Sequence, residues 1–459
     1  MSVKQQGKAA MGNEYLIQEK PLKALIVFAL PMIIGNLFQQ FYTMVDSVVV
    51  GRFVGEQALA AVGASYSLTT VFISVAIGGG VGASVITSQY FGAREYGKMK
   101  RSVRTALTAF VVLSLALGAF GLVFSHRIMV WLNTPEEALS QAVQYLRIYF
   151  LGLPFLFMYN ILSSMFNALG KSKIPLYLLI FSSVFNMILD VILVRNLGMG
   201  VSGVAWATLI AQGISAACSF MIFLQEMKKY KGSGRGGLFD RGEFFNMTRI
   251  ALPSILQQST VSIGMMLVQS VVNSFGAQML AGFSAGMRVE SICVVPMAAM
   301  GNVMSSYTAQ NIGAGRYDRV RRGYRTGYGI VGFFAIVLCL WLETCNGWLI
   351  RMFLGEEGSL TAFGTGTEYL RFIGWFFVLI GLKMITDGVL RGAGDMKLFT
   401  VANLVNLGIR VVIAVTCAPR WGIAFVWIAV PIGWLANYLI SYGEYRTGKW
   451  KKTGNVSGI

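Results

Sequence analysis

The sequence predicts an all-α polytopic membrane protein, with twelve transmembrane helices in two pseudo-symmetric six-helix lobes. Three observations carry this expectation. The mean hydropathy is +0.62, with 55% hydrophobic and only 13% charged residues, whereas a soluble domain carries roughly a quarter charged residues. Apolar runs long enough to cross about 30 Å of hydrocarbon recur along the whole chain, and a lipid-exposed backbone must satisfy its own hydrogen bonds as helix. Finally, the second half restates the first at an offset of about 221–224 residues.

Taken in order, residues 1–24 are polar and basic (Lys4, Lys8, Lys20, Lys23), carry no small-residue cleavage site and read as a cytoplasmic tail. Spans follow at 25–50, 58–86, 104–125, 143–168, 175–195 and 203–225, making a first lobe of 25–225. The stretch 226–249, rich in glycine and charge, reads as the cytoplasmic inter-lobe linker. A second lobe of 250–445 holds spans 250–275, 280–311, 325–344, 367–390, 398–418 and 422–442, and 446–459 forms a C-terminal cytoplasmic tail.

Alternate connections separate the basic residues. One side collects 28 of the 38 lysines and arginines, among them Arg94–Arg104, Lys228–Arg249 and Arg316–Arg325. The other holds only Arg52, Arg127, Arg147, Arg195, Arg351, Arg371 and Arg420. By the positive-inside rule both termini are cytoplasmic in a plasma or inner membrane. The net charge of +18 is then a matter of topology and anionic lipid headgroups, and no nucleic-acid partner is implied.

The repeat is explicit in matched positions. Pro31 answers Pro253, Gln89…Gly92-Ala93 answers Gln310…Gly313-Ala314, and Tyr145-Leu-Arg147 answers Tyr369-Leu-Arg371. Gly170-Lys-Ser-Lys173 answers Gly394-Asp-Met-Lys397, and Gly203-Val-Ala205 answers Gly422-Ile-Ala424. Six spans per copy give both copies one orientation, the pattern of parallel repeats around a central cavity. Pro31 is the candidate helix hinge, because proline removes a backbone donor and permits a bend. Gly78, Gly79, Gly80 and Gly82 suit either close helix packing or a hinge.

Charge within spans is costly and marks function by default. Asp46 lies late in the first span and Asp190 late in the fifth, at similar depth, with Asn186 one turn before Asp190 and Thr208 near the outer end of the sixth. Four oxygen-bearing side chains thus converge, as Na⁺ requires, while two nearby carboxylates in low dielectric equally suit a proton carrier. The second lobe does not copy this set: Arg410 stands for Asn186 and Ala414 for Asp190. Glu290 is the expected buried partner of Arg410, and Lys383 and Asp387, four apart, form a local pair. Tyr42, Met44, Phe157, Met158, Met265 and Met287 are candidates for an adaptable apolar substrate cavity. The five cysteines show no metal or disulfide spacing and read as small buried hydrophobes.

At these residues the chain resembles the multidrug and toxic compound extrusion (MATE) family. The resemblance rests on Pro31-Met-Ile-Ile-Gly, Val45-Asp46-Ser, Leu59-Ala60-Ala-Val-Gly63, Gln310-Asn311-Ile-Gly313-Ala-Gly315 and Leu390-Arg391-Gly392…Gly394-Asp395, and spans roughly residues 20–445. It implies two six-helix lobes of the MATE (MOP-superfamily) type and export of organic cations and other amphiphiles against inward H⁺ or Na⁺ by alternating access. The family's first-lobe cation site maps onto Asp46, Asn186, Asp190 and Thr208. The acidic residue that some branches place midway along the tenth helix is absent from Phe377-Val-Leu-Ile-Gly-Leu382, so the chain looks closer to the prokaryotic branch of the DNA-damage-inducible (DinF-like) transporter. No cofactor is implied beyond the coupling ion, a monomer suffices mechanically, and the partners are small-molecule substrates and membrane lipids. Three rival readings fit the residues less well. A flippase for lipid-linked precursors would want more basic residues in a central cavity than Arg288, Lys383 and Arg410. An ATP-driven pump needs a phosphate-binding glycine loop, which is missing. A membrane enzyme is disfavoured by the lone histidine, His126, in an outer loop.

Overall fold

The computed structural model describes residues 14–453 except 54, 55, 133, 135, 233–236 and 356–358, with backbone only for 45–53, 56–61, 64, 67 and 453. Asp46, the ends of both expected tails and the glycine run of the expected linker therefore lie wholly or in their side chains outside the described residues. All described secondary structure is helical, as a backbone without water must be. A short helix α1 (Tyr15–Gln18) precedes α2 (Pro21–Phe53), α3 (Glu56–Gly92), α4 (Tyr96–Trp131), α5 (Glu136–Ala168), α6 (Lys173–Asp190) and α7 (Gly200–Met227). Then come α8 (Arg241–Asn273), α9 (Ala277–Gly313), α10 (Tyr317–Leu354), α11 (Leu360–Gly374), α12 (Phe377–Ala393), α13 (Met396–Thr416), α14 (Ala418–Trp421), α15 (Ala424–Thr447) and α16 (Trp450–Thr453).

Among the described residues eleven helices are long and apolar enough to cross a membrane, and α11 with α12 makes a twelfth span as a bent pair. The single span expected at 367–390 is thus broken by 53°. At the break the backbone tightens to i→i−3 bonds, Phe376 N–H to Ile373 O and Leu379 N–H to Phe376 O, both 2.9 Å.

The chain packs as two units. The first holds residues 34–255; the second holds Glu14–Ile33 and the chain from Leu256 onward. Packing therefore divides the chain differently from the loop-based boundary at 226–249. Helices α2 and α8 each change unit part-way, two residues after the repeat-related Pro31 and Pro253.

In the first unit, aromatic contacts tie α3, α4, α5 and α7 together: Phe72 meets Phe150 edge-on at 5.2 Å, Phe110 meets Phe157 at 5.8 Å and Phe166 meets Phe223 at 5.4 Å. Gly82 lets α3 approach α8 so closely that a Cβ there would lie 2.6 Å from Met247 O, which favours the packing role for these glycines. The stretch expected to be a linker is bonded to this unit. Tyr230 is buried against Phe91 and Tyr96, Lys100 Nζ donates to Tyr230 O at 2.7 Å, and Thr108 Oγ1 donates to Leu238 O at 3.1 Å. Asp240 caps α8, accepting the Glu243 N–H at 3.0 Å. Buried Glu226 takes Lys171 at 2.5 Å and Lys229 at 2.8 Å; burial pushes the Lys171 amine down, and the Glu226 contact offsets part of that fall.

The second unit is built on close contact between α9 and α12. Gly388 and Gly392, one turn apart, face the Gly301 and Ser305 carbonyls, and a Cβ on Gly301 would lie 2.9 Å from Met384 O. Part of the segment expected to be a cytoplasmic tail is docked here. Leu16 is fully buried, and its carbonyl accepts Asn311 Nδ2 at 3.1 Å and an Arg319 guanidinium N–H at 3.2 Å, while Arg316 serves Ile17 O at 3.1 Å. Two arginines at the start of α10 thus satisfy the otherwise orphaned carbonyls of a helix end.

The repeat is visible in helix termini as well. Gly170 (φ 76°) and Gly394 (φ 78°) are left-handed caps at equivalent positions, with Lys171 N–H to Phe166 O at 2.8 Å and Asp395 N–H to Leu390 O at 2.9 Å.

Candidate functional site

The Asn186-x-x-x-Asp190 spacing places both side chains on one face of α6, a turn apart. Both are buried, and the helix converts to a π turn over Val191–Asn196 immediately after Asp190. Such wide turns inside a helix recur at functional sites. Asn186 is the hub of the cluster. With its amide nitrogen toward Asp190 it donates to Asp190 Oδ2 at 3.1 Å and meets the Tyr42 hydroxyl, and its carbonyl accepts the Thr208 backbone N–H at 3.1 Å. With the amide reversed, its nitrogen reaches Thr208 Oγ1 at 3.4 Å and its oxygen accepts the Tyr42 hydroxyl. The Thr208 hydroxyl itself donates to Val204 O at 3.0 Å.

Three of the four residues expected to bind the coupling cation therefore meet within the first unit. The fourth, Asp46, stands one turn beyond Tyr42 on α2, with its side chain outside the described residues. Tyr42, expected only as a cavity wall, is a direct partner of Asn186; its position four residues before Asp46 was the available signal. The cluster offers a carboxylate, an amide and two hydroxyls, all hard donors, with the Asn186 and Asp190 side chains buried and those of Tyr42 and Thr208 half-buried. That set can hold a small cation or exchange a proton, and it carries no nucleophile–base pairing.

The remaining cavity candidates scatter. Met44 and Met265 are exposed, while Met158 and Met287 are half-buried. Phe157 has no exposed surface and packs on Phe110 inside the first unit, so it lines no open cavity.

In the second unit, the expected Glu290–Arg410 contact does not form among the described residues. Glu290 instead accepts the Tyr369 hydroxyl, Arg410 acts on it as a charge at a distance, and Arg410 Nε is buried without a hydrogen-bond partner there. The reason is packing. Tyr369 packs at a tilt against Phe283 and Trp427 at 5.1 and 5.8 Å and so reaches the carboxylate first.

The expected Lys383–Asp387 pair does form, at 3.0 Å, with both side chains almost fully buried. It belongs to a larger network that sequence reasoning missed. Lys383 Nζ also meets Asn403 Oδ1 at 3.3 Å, and Ser441 Oγ donates to Asp387 Oδ1 at 2.7 Å. Arg391, a further turn along α12, is buried and donates to Asn302 Oδ1 at 2.8 Å and Gly301 O at 3.3 Å. The signal was legible as charges at i, i+4 and i+8, which share one helix face. Asp387 thus already holds a tethered ammonium.

A family model described as MatE matches residues 31–192 and 253–416, one block in each copy of the repeat. The probable multidrug resistance protein YpnP of Bacillus subtilis (strain 168) is 30% identical over 435 residues, spanning 95% of this chain and 97% of its own. YoeA, a second probable multidrug resistance protein of that organism, is 28% identical across 96% of this chain and 97% of its own. Among solved structures, a MATE protein in a bent conformation superposes with a TM-score of 0.88 at 23% identity, covering 96% of this chain and 99% of that one. The straight conformation gives 0.85, also at 23% identity, with 95% and 98% covered. These structures establish the shared fold, and the family model and relatives establish the membership. The chain is a multi-pass membrane protein of the MATE family, a family of transporters and not of enzymes.

Proposed function

We propose that the protein is a secondary active efflux transporter of the plasma or inner membrane, exporting organic cations and other amphiphilic drugs in exchange for inward H⁺ or Na⁺. The observation that carries this reading is the convergence of Tyr42, Asn186 and Thr208 on buried Asp190 within the first unit. Asp46, a turn beyond Tyr42, supplies the second carboxylate of the cation site. The relatives named as probable multidrug resistance proteins support the substrate class. The Lys383 ammonium on Asp387 supports assigning coupling to the first unit, since Asp387 already has a cation in contact and Glu290 is held by the Tyr369 hydroxyl.

In this reading both termini face the cytoplasm and access alternates, with α2 bending near Pro31, where the proline removes one donor from the helix ladder. Cation entry neutralises Asp46 and Asp190 and removes a repulsion of several kcal/mol at low effective dielectric. Transport then requires that cation and drug prefer opposite states, because a ligand of equal affinity for both shifts nothing. The test is drug efflux from proteoliposomes driven in turn by a Na⁺ jump and a pH jump. Asp46→Asn and Asp190→Asn are expected to lose ion-driven efflux while keeping drug binding. Full coupled transport by both variants would remove the site from the mechanism, and the effective jump identifies the ion.

A further inference from the structure

A pocket of about 370 Å³ opens where the first turns of α10, the last turn of α15 and the start of α16 meet in the second unit. Four cations line it: Arg321, Arg325, Arg446 and Lys451. Among the described residues no carboxylate lies within ion-pair distance of any of them. The nearby acids are engaged elsewhere. Asp318 pairs with Arg322 at 4.0 Å, and Glu444 and Asp395 hydrogen-bond each other.

The walls are aromatic and held in place. Tyr445 stacks on Tyr324 at 4.1 Å and lies 5° from parallel to buried Trp450 at 5.7 Å. Trp450 Nε1 donates to Tyr445 O at 3.0 Å, a contact made possible by the left-handed turn at Gly448 (φ 74°). Arg446 donates to the Tyr442 hydroxyl at 3.3 Å and lies over that ring at 5.9 Å. Unopposed cations repel one another, and a fold that gathers four of them around a preformed concave wall gains by admitting an anion. Arginine forks and tyrosine hydroxyls match the oxygens of a phosphate.

We propose that this pocket binds one phosphate-bearing anion, its oxygens held by Arg325, Arg446 and Lys451 and its body resting on the tyrosine–tryptophan wall. The pocket lies at the helix ends that carry the basic excess, which the positive-inside reading assigns to the cytoplasmic side. Two sources share this chemistry: the headgroup of an anionic phospholipid in the adjoining leaflet, and a soluble phosphorylated molecule.

The experiment uses the full-length chain in nanodiscs of phosphatidylcholine doped with phosphatidylglycerol, comparing wild type with Arg325→Gln/Arg446→Gln and with Lys451→Gln. Arg322→Gln, an exposed residue outside the pocket and paired with Asp318, is the control. Native mass spectrometry counts retained phosphatidylglycerol, and a parallel arm titrates ADP into nanodiscs of phosphatidylcholine alone. Removing two charges is expected to weaken binding about thirty-fold, because each charge near a membrane surface changes the affinity about five-fold and the two factors multiply. Retention of one phosphatidylglycerol by wild type and by Arg322→Gln, and its loss in the double variant, assigns the lipid source. Saturable ADP binding with the same variant pattern assigns the soluble source. Equal lipid retention and no ADP binding in every protein, or an Arg322→Gln result matching the double variant, overturns the proposal. Lys451→Gln, on the terminal short helix, keeps the test valid if the double variant fails to fold.

Discussion

Replacing Asp387 with asparagine leaves the Lys383 ammonium buried opposite a neutral amide. The two side chains are 5% and 3% exposed and 3.0 Å apart, so water cannot stand in for the lost carboxylate. The ammonium keeps Asn403 Oδ1 at 3.3 Å and must compete with Ser441 for the one oxygen of the new amide. Breaking a buried pair by removing one partner costs about 3–5 kcal/mol, while replacing both partners with apolar groups of similar volume is often neutral or stabilising. In Lys383→Met/Asp387→Leu the Ser441 hydroxyl loses its acceptor, a cost of about 1 kcal/mol, reduced because Asn437 Oδ1 is 3.4 Å away. Melting in detergent, followed by size-exclusion of the surviving monodisperse protein, should therefore rank wild type and the double variant close together and Asp387→Asn well below both. A double variant as unstable as the single one, or a single variant that melts with wild type, refutes the reasoning. The double variant should also retain ion-driven efflux. Loss of coupling in a folded double variant would move the coupling site into the second unit.

Tyr42→Phe removes the hydroxyl that meets Asn186, at a cost of about 1 kcal/mol, and should raise the ion concentration for half-maximal efflux several-fold; an unchanged value would place Tyr42 outside the site. Gly388→Ala drives a methyl into the Gly301 carbonyl and should destabilise the second unit by about 1–3 kcal/mol. Gly329→Ala, where nothing lies within 4 Å, should be tolerated, and equal melting of the two variants would contradict the close helix contact. Burial first, then the neighbouring Glu444 carboxylate, pushes Asp395 above the usual carboxylate range, with Lys449 and Lys397 pulling partly back. A raised carboxyl pKa favours the protonated form in the folded state. Its stabilisation is complete below the ordinary carboxylate pKa and lost as pH rises through the raised value. Asp395→Asn should flatten that loss in a melting series against pH, and an unaltered slope would exclude Asp395 as its source.

The membrane class, the doubled chain and the shared helix face of Asn186 and Asp190 were all legible in the linear sequence, because each rests on local chemistry. Hydropathy over a span length, matched prolines and helix caps, and Asn186 and Asp190 four residues apart depend only on chain geometry and helical period. Contacts between distant segments were decided by packing. Tyr369 reached Glu290 before Arg410 could, Phe157 was enclosed by Phe110, and the glycine-lined approach of α9 to α12 set Arg391 against backbone carbonyls. Loops that look free in a charge pattern were drawn in for the same reason. Arginines at 316 and 319 bind the carbonyls of Leu16 and Ile17, and Lys100 binds Tyr230, because buried polar groups must be paired and the nearest donor is seldom near in sequence. Sequence periodicity names which residues share a face; only the fold decides which faces meet, and at what distance their charges are answered.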